Sequence, residues 1–217
     1  MKTKVNYIRL IFLLIPLLSC NTKGELKDFD YGHVENNVYR NSFFDMEVAL
    51  PDDWFIATRA QTERMTETGK NIIAGNDEGL KDIINASEVN TANLLAVFKY
   101  EVGSAVAYNP NCMIVAESIK DMPGIKTGGD YLFHTRRFLE QSQMQYRFAE
   151  EKFEKETIND REFYVMKLSL DYAGLVIRQT YYATIKNGFA VIAVISYIDD
   201  EQQAALKSII NAITFKS

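Results

Sequence analysis

The chain has 217 residues, 47% of them hydrophobic, with 29 acidic residues against 24 basic ones and a formal net charge of −5 at pH 7. This length suits one domain with a sizeable core. The acidic balance disfavours a nucleic-acid partner, since phosphate binding needs clustered Lys and Arg, and it argues against broad adhesion to anionic headgroups.

The first twenty residues, MKTKVNYIRLIFLLIPLLSC, have the form of a secretory leader. Lys2, Lys4 and Arg9 make a basic n-region, and an apolar run follows over residues 10–18. That run is too short for a membrane span, which needs about 20 residues. It closes on Leu-Leu-Ser-Cys20, which resembles the bacterial lipobox. The resemblance implies diacylglycerol on the Cys20 thiol, cleavage before Cys20, and acylation of the new amine, for instance by palmitate.

Residues 1–19 are therefore expected to be a lipoprotein signal peptide, and the mature protein is expected to bind the membrane through lipid on Cys20. The alternatives are a plain secretory signal with an incidental Cys, or a buried N-terminal helix. Loss of three basic residues with the leader would lower the net charge from −5 to −8. In enterobacterial lipoprotein sorting, Asp directly after the lipidated Cys favours retention in the inner membrane. This chain has Asn21 there, which favours the outer membrane, with the domain facing the periplasm or, alternatively, the cell surface.

Residues 20–37 are predicted to be the lipidated Cys and a flexible polar tether, and residues 38–217 a single globular domain. With Cys20 committed to lipid, Cys112 has no disulfide partner. Cys112 lies beside Met113, Ile114 and Val115, so it is interpreted as a small buried hydrophobe rather than as a nucleophile.

The first half of the domain alternates between strand and helix patterns. Residues 44–50 have apolar side chains at alternate positions, which predicts a half-buried strand ending at Pro51. Helix patterns follow over residues 58–74 and behind Asn76-Asp77. Strands are predicted at 93–100, with Leu94, Ala96, Phe98 and Tyr100 on one face, and at 113–119. Thr127 and Asp130 then have the spacing of a capping box, which begins a helix predicted to run to about Gln145.

The last third predicts four strands, at 152–158, 161–172, 175–186 and 189–197, joined by the short turns Asn159-Asp160, Ala173-Gly174 and Asn187-Gly188. The continuously apolar run from Phe189 indicates a central strand covered on both faces. Asp199, Asp200 and Glu201 favour the start of a last helix, which explains them with fewer assumptions than a metal site does. The fold class expected is α+β, with helices on both faces of a mainly antiparallel sheet.

Two segments resemble PsbP-like domains. Residues 41–54, NSFFDMEVALPDDW, resemble the Phe-rich opening strand of that family with its Pro-x-Gly-Trp turn, and residues 181–215 resemble its C-terminal half. Asn109-Pro110-Asn111 before an apolar strand also fits. Asp45 and Asp53 stand where the family often has Gly. The resemblance implies an α/β/α sandwich, a generally non-catalytic role as an accessory subunit, assembly factor or lipoprotein, and no catalytic residues.

No nucleotide-loop, HExxH, CxxC or GxSxG motif occurs in the sequence. His134 adjoins the inward face of its helix and is interpreted as a packed histidine, while His33 falls in the predicted tether. The pairs Asp52-Asp53 and Glu150-Glu151 are interpreted as solvated turn charges. The protein is expected not to be an enzyme and to need no cofactor or metal.

Two functions remain open from the sequence. One is an interaction or assembly module of the cell envelope with a protein partner. The other is a carrier or sensor of a small apolar ligand in the periplasm. A hydrolase, which would need His134 beside a carboxylate and a hydroxyl in one pocket, ranks below both.

Overall fold

The computed structural model describes residues 29–88 and 90–216, which form two antiparallel sheets and four α-helices. The helices are α1 Arg59–Ala74, α2 Glu78–Glu88, α3 Gly128–Gln141 and α4 Asp200–Asn211. The strands are β1 His33–Glu35, β2 Val38–Asn41, β3 Met46–Ala49, β4 Phe55–Ile56, β5 Thr91–Phe98, β6 Asn111–Ser118, β7 Tyr146–Phe148, β8 Glu154–Ile158, β9 Arg161–Tyr172, β10 Leu175–Lys186, β11 Phe189–Tyr197 and β12 Ile213–Phe215.

The large sheet has the strand order β4-β5-β6-β11-β10-β9-β7, with β8 also paired to β9. Its three consecutive hairpins turn at Asn159-Asp160, Ala173-Gly174 and Asn187-Gly188, and all six residues have positive φ. Two-residue turns with positive φ at both positions match the twist of the strands that they join. The hairpins predicted for the last third of the chain are confirmed.

Helices cover both faces of the large sheet. On β11, Val191, Ala193 and Ile195 face the core that α4 completes with its buried leucine and isoleucines, while Ala190 and Ile192 face the core under α3. The central strand is thus covered on both faces, as its apolar run predicts. The α+β class, with helices on both faces of a mainly antiparallel sheet, is confirmed.

The second sheet, β1-β2-β3-β12, closes the α4 side of the molecule. Tyr39, Met46 and Val48 are almost completely buried there, together with Ile213 of β12. The strand predicted over residues 44–50 is β3, and Ile213 pairs with Val48, so the last strand of the chain completes the sheet begun by the first.

Local capping chemistry fixes the starts of the helices. Thr58 and Gln61 form a capping box at α1, and Thr127 and Asp130 form the box expected at α3. At α4 the Asp199 carboxylate accepts a hydrogen bond from the Gln202 amide at 2.8 Å. These bonds satisfy amides that have no partner inside the helix. The capping interpretation of Asp199 is confirmed.

Two element predictions need correction. The helix predicted to run to about Gln145 ends at Gln141, because the Ser142 amide bonds back to Leu139 and the Gln143 amide donates to Ile73 of α1. The next residues form β7 on β9. In β5 a register shift between Asn93 and Leu95 breaks the expected alternation, and Tyr100 lies beyond the strand and is exposed.

The predicted start of the domain at residue 38 is wrong, since residues 29–37 belong to the folded unit. His33 of β1 pairs with Arg40 of β2, and Phe29 packs its ring against Phe43, Phe44 and Phe189 at 5.1–5.9 Å. Alternation of polar and apolar residues in a three-residue strand is too short a pattern to stand out from a linker. Residues 1–28, including the predicted signal peptide and Cys20, lie outside the described residues.

Candidate functional site

The side of the large sheet that carries α3 is less completely sealed than the opposite side. On β6, Cys112 and Ile114 point into the α4 core and are 0% and 1% exposed, whereas Met113 and Val115 on the α3 side are only partly buried. Helix α3 contacts β9 and β10, whereas α1 and α2 contact β5. A band of β6 and β11 therefore lies between the helices; we call Met113, Val115 and Val194 the interhelical strip.

Cross-strand pairing makes the strip continuous. Met113 pairs with Val194 of β11 and with Ala96 of β5, and Val115 pairs with Ile192. Directly opposed side chains in antiparallel strands lie about 5 Å apart, so these apolar groups form one surface.

A buried carboxylate closes one end of the strip. Glu117 of β6, two residues beyond Val115 and 8% exposed, accepts hydrogen bonds from Ser87 Oγ at 2.7 Å and from Tyr131 Oη at 2.5 Å. Ser87 belongs to α2 and Tyr131 to α3, so Glu117 ties both helices to the sheet. Burial and the Glu117 charge together raise the pKa of Tyr131 well above its usual range, which keeps the phenol protonated as a donor.

A neutral hydrogen-bonded chain closes the other end. Tyr181 donates to Gln179 Oε1 at 3.1 Å, and Gln179 Nε2 donates to Ser196 Oγ at 3.0 Å. Burial raises the pKa of Tyr181 and, with hydrogen bonds to Ser196 and Asn111 opposing it, that of Tyr108. The strip is thus an apolar band with fixed polar groups at both ends, an arrangement typical of sites for small apolar ligands.

A separate cleft of about 290 Å³ lies at the start of α3, beside the β8–β9 turn. Its lining includes Lys126 and Arg161 together with Asp160 and Glu162, so charges of both signs meet there. The capping box at this helix start already binds the Asp130 amide through Thr127 Oγ1, and the Thr127 and Lys126 amides through the Asp130 carboxylate. The hydroxyl of Thr127 and those backbone amides lower the pKa of Asp130. The cleft therefore has no excess of one charge.

The histidines lie apart from both features. His134 is exposed on α3, and its ring contacts Phe133 edge-on at 5.7 Å, so the interpretation as a packed histidine is wrong. His33 is exposed in β1. Asp53 pairs with Lys99, and Glu150 and Glu151 are exposed turn residues whose carbonyls accept from Arg136.

Cys112 is fully buried and its pKa is raised by that burial to about 12, which fits a structural thiol. Within residues 29–88 and 90–216, no cluster of three or more His, Cys, Asp or Glu side chains is arranged to bind a metal ion. No helix in the same ranges is both long and apolar enough to cross a membrane. Lipidation of Cys20 stays a prediction, because that residue is outside the described part.

Exposed apolar side chains also gather at one end of the large sheet, which we call the distal end. It comprises the loop 99–110 and the β9–β10 turn, which the strand order places at the same end. Tyr100, Val106, Tyr172 and Val176 are exposed there by 46%, 40%, 44% and 51%. The chain enters the domain at the opposite end, where Phe29 packs beside the β2–β3 and β10–β11 turns.

Sequence reasoning found neither the interhelical strip nor the distal end. Glu117 is 30 residues from Ser87 and 14 from Tyr131, so no local motif joins them. The one available signal was a single carboxylate inside the apolar run of β6.

No family model and no curated protein matches the chain. Solved structures do match. One is the solution structure of cyanobacterial PsbP from Synechocystis sp. PCC 6803, with 13% identity, coverage of 85% of this chain and 96% of that one, and a TM-score of 0.49. Another is LpqN of Mycobacterium tuberculosis, described as involved in cell envelope biogenesis, with 10% identity, coverage of 78% and 82%, and a TM-score of 0.42.

A third is the immunity protein TplEi from Pseudomonas aeruginosa in complex with a peptide, with 7% identity, coverage of 83% and 98%, and a TM-score of 0.37. All three TM-scores are below 0.5, so these likenesses carry no argument about function.

Proposed function

We propose that this chain is a lipid-anchored, non-catalytic protein of the cell envelope that acts as an interaction or assembly module for a protein partner. The anchor is lipid on Cys20, and the domain faces the periplasm from the outer membrane. The leader and lipobox of residues 1–20 and the resemblance of residues 41–54 and 181–215 to PsbP-like domains support this proposal.

The observation that carries the partner role is the distal end. Four apolar side chains, each two-fifths exposed or more, stand on the loop 99–110 and at the tip of the β9–β10 hairpin, at the end of the sheet opposite the chain entry. Single exposed apolar residues are normal on protein surfaces, but a group gathered at one end of the molecule favours a binding surface there. Tyrosine is also enriched where proteins bind each other.

Photo-crosslinking in intact cells tests this role. A photoreactive residue in place of Tyr172 or Val176 is expected to give one shared adduct of defined mass. The matched control is Phe133, which is 55% exposed on α3 away from the distal end. Equal adduct patterns from Tyr172 and Phe133, or no adduct from either distal position, would refute a partner at this surface.

A second candidate function is the carriage or sensing of a small apolar ligand, and the interhelical strip favours it. Met113, Val115 and Val194 are partly open, and hydrogen-bonded polar groups stand at both ends of the strip. Native mass spectrometry of the domain after removal of the N-terminal lipid is the test. A copurifying lipid-like molecule that disappears in Val194→Trp, but not in Val176→Trp at the distal end, would favour carriage over partner binding.

A further inference from the structure

Contacts of two neighbouring residues, Phe29 and Asp30, fix the point where the chain enters the domain. The Asp30 carboxylate accepts hydrogen bonds from the amides of Gly32 and Ser42, each at 2.7 Å, and from Ser42 Oγ at 2.6 Å. Those bonds hold the pKa of Asp30 below its usual value. The neighbouring Phe29 ring packs against both Phe43 and Phe189, with centroid distances of 5.1 and 5.6 Å. The path toward Cys20 therefore leaves from one defined place.

The chain between Cys20 and that place is short. Nine residue steps separate Cys20 from Phe29, and at about 3.3–3.6 Å per residue they span at most about 32 Å. A domain of this size is roughly 40 Å across. With lipid on Cys20 in the bilayer, the entry end must stay nearer to the membrane than one domain diameter.

The entry end has a surface suited to that position. Phe43 is 37% exposed on the β2–β3 turn, and Asn187 of the β10–β11 turn donates to its carbonyl. Charges around these turns nearly balance: Asp30, Asp45 and exposed Asp121 stand against Lys186, which lies 3.9 Å from Asp45, and exposed Lys120. These five groups sum to a charge of −1, so only a small part of the acidic excess of the chain lies at this end and anionic lipid repels it weakly.

We propose that the entry end rests on the phospholipid bilayer, with the Phe43 ring at the depth of the headgroups and the distal end turned away from the membrane. Aromatic rings are favoured at this depth because their apolar bodies leave water without entering the hydrocarbon core. The inference rests on the proposed lipidation of Cys20. It deepens that proposal by assigning which side of the domain meets the lipid and which side meets a partner.

Environment-sensitive fluorophores placed on introduced cysteines test the orientation. The sites are Phe43→Cys and Lys120→Cys at the entry end, with Tyr172→Cys at the distal end as the control. Native Cys112 is 0% exposed, so it escapes labelling in the folded protein. The full lipidated protein is purified from membranes, its Cys20 modification is verified by mass spectrometry, and it is reconstituted into phosphatidylethanolamine–phosphatidylglycerol vesicles.

Both entry-end labels are expected to shift to shorter emission wavelength on reconstitution and to lose intensity with brominated phospholipid, while the label at residue 172 does neither. High salt should leave these changes in place, because apolar burial rather than net charge drives them. Lys120→Cys retains the Phe43 packing, so it reports even if Phe43→Cys does not fold.

An unmodified Cys20 would defeat the proposed anchor itself. Modified Cys20 with entry-end labels that behave like the label at residue 172 would overturn only the orientation. Entry-end labels that already emit at shorter wavelength in the Cys20→Ser chain in buffer, without detergent or vesicles, would mean that a second copy or another protein covers the entry end, and would overturn the orientation as well.

Discussion

Gly128 offers the sharpest test of how α3 seats on the large sheet. It is the first residue of α3 and lies directly against β10. A Cβ at this position would stand 2.1 Å from the Ala183 carbonyl oxygen and 2.6 Å from its carbon. Gly128→Ala can therefore be accommodated only if either β10 or α3 moves.

The magnitude follows from which of the two can yield. Ala183 is paired with β9 and with β11, so its backbone is held on both sides and the helix must retreat. Contacts below 3.0 Å do not occur for real Cβ atoms, so the start of α3 must shift by about 0.9 Å. A gap of that size forfeits a quarter to a half of the dispersion energy of each contact made by Leu132, in the first turns of α3. Overpacking typically costs 1–3 kcal/mol, and we expect about 3 kcal/mol here.

The free energy of unfolding is measured by urea titration of the chain from residue 20 carrying Cys20→Ser, with circular dichroism as the signal. Gly124→Ala, where an added Cβ meets open space, should stay within about 0.5 kcal/mol of the parent. Gly69→Ala, in the interior of α1 with equally open space, should stabilise by up to about 1 kcal/mol. If Gly128→Ala also stays within 0.5 kcal/mol, α3 does not pack on β10 as described.

Asp45 has φ +50°, so Asp45→Gly should raise the free energy of unfolding by up to about 1 kcal/mol in the same assay. Glu117→Ala leaves the buried hydroxyls of Tyr131 and Ser87 without their acceptor, and should lower the free energy of unfolding by about 2 kcal/mol. Cys112 should be silent to Ellman's reagent in the folded chain and react once per chain in urea, because its pKa is raised to about 12. The pKa of Asp30 is lower in the folded chain than in the unfolded chain, so its ionised carboxylate stabilises the fold above the unfolded-state pKa of about 4, and this stability is lost as pH falls through the folded-state pKa. Asp30→Asn should therefore be less stable than the parent at pH 7, and the difference should shrink as pH falls below about 4.

Two of these four predictions have a control variant, and the other two have a contradicting outcome. Asp53→Gly, at a position without positive φ, should destabilise rather than stabilise. Glu117→Gln keeps polar atoms opposite the two hydroxyls and should cost less than Glu117→Ala; equal costs would mean that the hydrogen bonds do not matter. Reaction of Cys112 with Ellman's reagent in the folded chain would contradict the third prediction. A stability difference between Asp30→Asn and the parent that does not shrink in acid would contradict the fourth.

The sequence was most informative where structure depends on neighbours in the chain. Asn187-Gly188 predicts its hairpin because both residues must take positive φ, and they do. Thr127 predicts the start of α3 because its cap reaches only three residues. Asp45 stands at a position where the PsbP-like domains that it resembles often have Gly, and it adopts a φ of +50°, in the left-handed region that favours glycine.

The features that sequence reasoning missed depend on distant partners. β1 is too short for its alternation to be recognised, and it becomes a strand because β2 pairs with it. The end of α3 is set by a bond from Gln143 to α1, 70 residues away. Glu117 accepts its two hydrogen bonds only because α2 and α3 both pack beside β6, and the sequence pattern of neither helix predicts that contact.

The pairing of β12 with β3 links residues near the two ends of the domain, 165 positions apart at Ile213 and Val48. Until residues 213–215 have been synthesised and released, β3 has one edge without a partner. Such an edge can pair with other chains, and contacts this distant in sequence form slowly. The domain can therefore finish folding only after residues 213–215 have emerged, and C-terminal truncations short of Ile213 should accumulate as aggregates rather than as a smaller folded protein.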